Sequence, residues 1–145
     1  AMINPRFQGA DKDKQTFSIT ADIAKNLLNA DKSVELEMPK ADISLDDGSW
    51  LVVTAKSGIY VRENETLTLN ESVNLFHDSG YEFRTESADI DLTKGTASGS
   101  VPVEGQGPFG NLKAEGFRLV DKGKTIYFTG KSHLTIYPGA GEQTK

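Results

Sequence analysis

His77 and His133 are the first residues to weigh for chemistry, as metal ligands or as general bases. Both lie on polar stretches, at nearly matching places in a repeat described below, which favours turn or surface roles over a metal pair. The acidic run Asp42, Asp46, Asp47 before Gly48 lacks the alternating ligand spacing of a calcium loop and reads better as an Asp-Gly hairpin. Ser79 and Ser98 sit in no nucleophile elbow. Glu63 and Glu65 fall in an expected hairpin loop, where paired carboxylates need no acid–base role. The glycine-rich run from Gly95 to Gly110 is followed by no helix and no GK[ST], so it is no phosphate cradle. The sequons at Asn64 and Asn70 carry little weight without a secretory context. These patterns support no enzyme, and neither a metal nor a cofactor is expected.

The 145 residues suit one domain, placed at residues 1–138, with a flexible polar tail at 139–145. Sixteen Lys and Arg are scattered among twenty-one Asp and Glu, giving a net charge of −5 and no basic stripe, so no nucleic-acid partner is expected. There is no cysteine, hence no disulfide and no thiolate chemistry. No stretch approaches the roughly 18 apolar residues that a membrane span requires. Ala1-Met2 reads as a cloning scar, with any targeting or anchoring element expected before it.

Periodicity is the informative feature. Leu51, Val53 and Ala55 alternate, then a step of three leads to Gly58 and Tyr60. The frame returns as Tyr81, Phe83, Thr85, Ala88 and Ile90, and again as Gly110, Leu112, Ala114, Phe117 and Leu119, a period of about thirty residues. A looser copy holds Phe17, Ile19, Ala21 and Ala24. Between these units Leu69 and Leu75, Ala97 and Val103, and Phe128 and Leu134 form a second frame, with Glu71, Gly99 and Gly130 at its turns. Strict alternation marks a strand with one buried face, and the step of three marks a bulge or a strand-to-strand corner. The segment from Thr20 to Lys32 has Ile23, Leu27 and Leu28 at helical spacing and predicts a turn or two of helix. Asp47-Gly48, Ser79-Gly80 and Lys122-Gly123 predict hairpin loops.

A thirty-residue unit with two strands cannot bury its own apolar face, so the units must stack. The sequence therefore predicts an all-β fold, a β-jellyroll or flattened solenoid of repeated antiparallel strands, open at both ends. The inward set is Phe17, Ile19, Leu51, Val53, Tyr60, Leu67, Leu69, Tyr81, Phe83, Ile90, Leu112, Phe117, Leu119, Ile126, Phe128, Leu134 and Ile136. Open ends leave free edge strands that can accept a partner's strand. Pro5 marks one edge. The other runs Lys131, Ser132, His133, Leu134, Thr135, Ile136 and Tyr137, before Pro138.

The stretches VELEMPKADISL, DGSWLVVTAKSGIY, VNLFHDSGYEFRTESADIDL, VEGQGPFGNLKAEGFRL and IYFTGKSHLTIYP resemble the LptC family of lipopolysaccharide export proteins in its alphaproteobacterial form. The repeat unit also resembles that of the bridge protein LptA. The resemblance covers roughly Asn4 to Pro138. It implies a periplasmic β-jellyroll, anchored in the inner membrane by an N-terminal helix, that takes lipopolysaccharide from an ABC transporter and hands it to an LptA-like bridge protein. Groove candidates for the acyl chains are Phe17, Ile19, Leu51, Val53, Tyr60, Leu69, Tyr81, Phe83, Leu112, Phe117, Phe128 and Leu134. Candidates for docking the bridge protein are Lys131, His133, Leu134, Thr135, Ile136 and Tyr137.

Two other classes suit an open β-repeat. A carbohydrate-binding sandwich would display aromatic platforms outside, and here Trp50, Phe76 and Tyr127 depart from the buried parity but are dispersed along the chain. A structural module would use the same free edges to join copies into a homo-oligomer.

Overall fold

A computed structural model describes residues 1–26 and 32–137 of the chain. Fourteen strands run through these residues: β1 (Met2–Ile3), β2 (Arg6–Ala10), β3 (Thr16–Thr20), β4 (Ile23–Asn26), β5 (Ser33–Glu37), β6 (Lys40–Ser44), β7 (Trp50–Thr54), β8 (Ser57–Val61), β9 (Thr66–His77), β10 (Glu82–Asp91), β11 (Thr96–Gly99), β12 (Val103–Gly107), β13 (Gly110–Val120) and β14 (Thr125–Ile136). All pairings are antiparallel and join the strands into one rolled sheet. The predicted all-β jellyroll is what forms.

The roll has two facing layers because four long strands each serve both. The first half of β9 pairs with β8, with Tyr60 opposite Leu67. Its second half pairs with β7, with Val53 opposite Leu75. In between, Glu71 and Ser72 take left-handed backbone conformations (φ 66° and 52°) and turn the strand from one layer to the other. β10 shifts register between Thr85 and Ser87, and β13 between Ala114 and Gly116. β14 turns at Gly130, whose φ is 73°. These are the corners that the step of three predicts. One extra residue bends the strand while the apolar parity resumes on the inner side.

Shorter strands turn the same corner through loops, at Ala21-Asp22, Met38-Pro39 and Ala55-Lys56. Pro5 also occupies a corner, between β1 and β2, and is buried. Hairpin turns close the opposite side of the roll. In the turn before β7, the Asp47 carboxylate accepts from the Ser49 backbone N–H at 2.9 Å and from its hydroxyl.

Residues Ile23–Asn26 are a strand, where helical spacing predicts a helix. The same stretch also follows the repeat frame, with Ala21 and Ala24 buried, and pairing with β1 and β5 overrides a weak helical pattern. Leu27 and Leu28 lie outside the described residues, as do residues 138–145.

The inward set fills the space between layers. Ile19, Leu36 and Leu67 are fully buried, and each such side chain contributes roughly 1.5–3 kcal/mol before its lost entropy is counted. Leu134 and Ile136 are the exceptions. They point to the inner side but remain 53% and 63% exposed, because among the described residues β14 pairs with β13 alone.

The two layers also meet along the hairpin side, where the turns leave a seam. Lys122, in a single 3-10 turn at Asp121–Gly123, is buried there. Its ammonium lies 2.8 Å from Asp11, 2.8 Å from Asp13 and 2.9 Å from Asp46, in two different turns of the facing layer. Burial opposes the charge on Lys122, but hydrogen bonds to the three carboxylates override it and hold the ammonium above its ordinary 10.5. Burial alone would raise Asp11. Hydrogen bonds from Lys122 and from the Gln15 and Asp13 N–H groups instead hold it below 3.8. The cluster's contribution to stability is thus complete at neutral pH. It is lost as pH falls through the depressed Asp11 value, or as pH rises through that of Lys122. We expect urea unfolding to show a stability loss below about pH 4 that is reduced in Asp11→Asn. An identical acid profile in the variant would remove Asp11 from the account.

Candidate functional site

The two ends of the roll differ. Toward the N-terminus the interior closes over Phe17, Ile19, Tyr60 and Leu69, each at most 4% exposed. Toward the C-terminus β14 is the last strand of the described residues, and the layers leave a groove of about 640 Å³ there. Tyr81, Phe83, Phe109, Leu112, Leu134 and Ile136 line it from one layer, and Ile126 and Phe128 from the other. Lys124 is the one charged residue among those lining it. The volume lies within the roughly 300–1,000 Å³ of ordinary ligand sites, with the apolar lining that such sites favour.

Aromatic contacts build the groove wall. The His77 and Tyr81 rings stack at 4.6 Å, Tyr81 meets Phe83 at 5.2 Å, and Phe83 meets Phe128 across the layers at 5.7 Å. His77 is held by the turn it ends: the Ser79 N–H donates to its Nδ1 at 2.9 Å, and the Ser79 hydroxyl lies 2.7 Å from the same atom. Burial, with Asp78 adding to it, raises the Tyr81 phenol above its ordinary value, so the phenol stays uncharged through neutral pH. Beneath Phe83, the Gly105 backbone packs so closely that a Cβ there would sit 2.4 Å from the ring.

Behind the groove lies a small apolar cavity of about 30 Å³, which shares Phe83, Ile126 and Phe128 with it and adds Val53, Leu75, Phe117 and Leu119. The groove candidates therefore divide. Tyr81, Phe83, Leu112, Phe128 and Leu134 come together at the open mouth. Val53 and Phe117 reach the inner cavity. Phe17, Ile19, Leu51, Tyr60 and Leu69 are buried away from the mouth. Phe109 is a lining residue that the sequence does not reveal, since it sits in the Pro108-Phe109 turn where alternation carries no information.

The edge residues from Lys131 to Ile136 lie on β14, and Tyr137 follows directly after it. Leu112 opposes Leu134, Lys113 opposes His133 and Asn111 opposes Thr135. Among the described residues, the far side of β14 pairs with no strand. Leu134 and Ile136 face the groove, so the free edge and the apolar mouth form one continuous surface. Lys131, at the corner, donates its backbone N–H to the Glu115 carboxylate at 2.7 Å. Tyr137 donates its N–H to the Phe109 carbonyl at 2.9 Å.

A family model described as lipopolysaccharide-assembly, LptC-related, matches residues 1–137. The chain belongs to the LptC family. A Rickettsia prowazekii (strain Madrid E) protein, named Uncharacterized protein RP506, is similar to this LptC-family chain, with 23% identity over 130 residues. The match covers 90% of the chain and 63% of the relative, so the chain spans less than two thirds of that protein's length. The family assignment and the all-β fold agree with the resemblance read from the sequence. The LptC family serves lipopolysaccharide transport. Among the described residues, no helix is long and apolar enough to cross a membrane.

β14 forms the mouth only if it stays paired at its far end, and Gly110 decides that. Its φ is 147°, and a Cβ there would sit 1.9 Å from the Thr135 carbonyl oxygen. Gly110→Ala is expected to speed amide hydrogen exchange at Thr135 and Tyr137, whose N–H groups face β13, while leaving Leu67 and Leu69 protected. Unchanged exchange at the β14 end would show that the strand is held elsewhere.

Proposed function

We propose that this chain binds the acyl chains of lipopolysaccharide in the groove at its C-terminal mouth. It does so in the periplasm, receiving the lipid from an inner-membrane ABC transporter and passing it to an LptA-like bridge protein docked on β14. The observation that carries this reading is an apolar trough, open to solvent, that merges with an unpaired strand edge. The trough shelters hydrocarbon, and the edge offers backbone hydrogen bonds to a partner sheet whose own trough would continue it. In keeping with the family, an N-terminal helix ahead of Ala1 would hold the domain at the membrane.

Magnitudes support a carrier. Each buried methylene is worth about 0.8 kcal/mol, so a chain of about a dozen carbons gains at most on the order of 10 kcal/mol. That is enough to shield a lipid from water. A neighbour with a similar trough offers nearly the same gain, so net transfer needs an external drive, which an ATP-consuming transporter supplies. In this reading Lys124 at the groove rim, whose ammonium lies 4.0 Å from the Asp46 carboxylate, would meet an anionic headgroup while Phe83 and Phe128 contact hydrocarbon.

Phe83→Asp and Phe128→Asp are expected to abolish the lipid adduct that native mass spectrometry detects after incubation with lipopolysaccharide. Circular dichroism serves to verify the fold. A folded Phe83→Asp variant that still carries lipid at the wild-type level would sink the groove reading. Ladders of lipid-free protomers would favour the end-to-end structural module instead. Removal of residues from Lys131 onward should eliminate capture of the bridge protein. Capture by such a shortened, folded chain would move the docking surface off β14.

A further inference from the structure

The outer face of the roll carries a groove of its own. It spans β2, β3, β6 and β7, measures about 550 Å³, and shares no lining residue with the mouth. Alternation builds it. Arg6 and Gln8 point outward because Phe7 between them packs on the core. Pairing then sets Gln8 beside Ser18, Ser18 beside Asp42 and Asp42 beside Val52, so one outward row crosses four strands. Val52 in turn opposes Phe76 on β9, which puts Trp50 and Phe76 at diagonal positions, about 7–8 Å apart. They are 47% and 37% exposed. Two aromatics dispersed along the chain therefore share one outward patch. Tyr127 lies on the opposite layer, with the Arg118 guanidinium 4.7 Å over its ring.

The chemistry of the groove selects its occupant. Arg6 and Gln8 offer donors and Asp42 offers acceptors. Among the described residues, none of these three side chains has a hydrogen-bond or ion-pair partner within the chain. Hydrocarbon would strip water from two free charges, so a lipid chain fits badly. A peptide strand would need an edge for its backbone, and β3, β6 and β7 are each paired on both sides. The net charge of −5 opposes nucleic acid. A sugar fits each feature. The C–H face of a pyranose lies on an indole ring, and its hydroxyls both donate and accept hydrogen bonds. Neighbouring strands, about 4.8 Å apart, repeat at close to the length of one such ring.

We propose that the outer groove around Trp50 is a saccharide site, and that its occupant is the oligosaccharide portion of lipopolysaccharide. Trp50 takes a ring face, Asp42 and Gln8 take hydroxyls, and Arg6 pairs with an anionic substituent on the sugars. In this layer β7 and β14 lie five strand spacings apart, about 24 Å, a span that about five rings cover. A lipid with its chains in the mouth can thus lay its sugars back along the outer face. The choice of occupant rests on the lipopolysaccharide reading given above; the sugar site itself does not.

Trp50 is the only tryptophan, so its indole reports on this groove alone. The probes are lipid-free core oligosaccharide, released from lipopolysaccharide by mild acid, and a neutral linear glucan of similar length. The core oligosaccharide is expected to shift the single indole N–H resonance and to move the tryptophan emission to shorter wavelength. In calorimetric titrations its binding should weaken about tenfold in Trp50→Ala and in Arg6→Ala. A folded Phe83→Asp variant should bind it as the unmodified protein does, since that change disables only the mouth. An indole signal that the core oligosaccharide leaves unmoved would overturn the saccharide site without touching the acyl-chain groove. An equal response to the neutral glucan would overturn lipopolysaccharide as the occupant. Binding that survives both Trp50→Ala and Arg6→Ala would put the sugars elsewhere and end the proposal.

Discussion

The structure depends on keeping side-chain parity through a bend. A strand alternates its side chains between two faces, so a strand that passes from one layer to the other must still aim its apolar residues at the same interior. A bend without an added residue would send every later apolar side chain into water. The added residue at each corner solves this. Thr85 and Ala88 both point inward with Glu86 between the register segments, and Ala114 and Phe117 do the same around Glu115. The added residues themselves, Glu86 and Glu115, are polar and exposed.

From that constraint follows the unequal character of the two ends. Strands that pair on both sides supply the closed core around Ile19, Leu36 and Leu67, all fully buried. β14 inherits the same parity but among the described residues has no neighbour on its outer side, so its inward side chains, Leu134 and Ile136, line a trough. The apolar site is thus the unfinished end of the core, made by the same alternation. The seam is governed differently. There the layers meet through turns, and polar side chains do the joining, with Lys122 at the centre.

Much of this was legible because it is periodic. The steps from Ala55 to Gly58, Thr85 to Ala88 and Ala114 to Phe117 locate corners directly, and Asp47-Gly48 and Ser79-Gly80 locate hairpins. Where two periodicities overlapped, at Ile23 and Ala24, local spacing suggested helix, and long-range pairing decided for strand. Features resting on turns were illegible. Phe109 and Lys122 follow no alternation, and Lys122 finds Asp11 and Asp46 only after the roll has closed. Sequence parity also cannot separate Phe17, in solid core, from Phe128, at the mouth. That difference depends on how many strands come after.

The corner spacing has an evolutionary corollary. A single-residue insertion within a strand would invert everything downstream, and an insertion in a hairpin turn leaves parity intact. A duplication of about thirty residues adds a whole storey and displaces the mouth outward without disturbing the floors below. Descendants of such a chain can therefore differ in reach by discrete increments, each adding the same stretch of oily corridor.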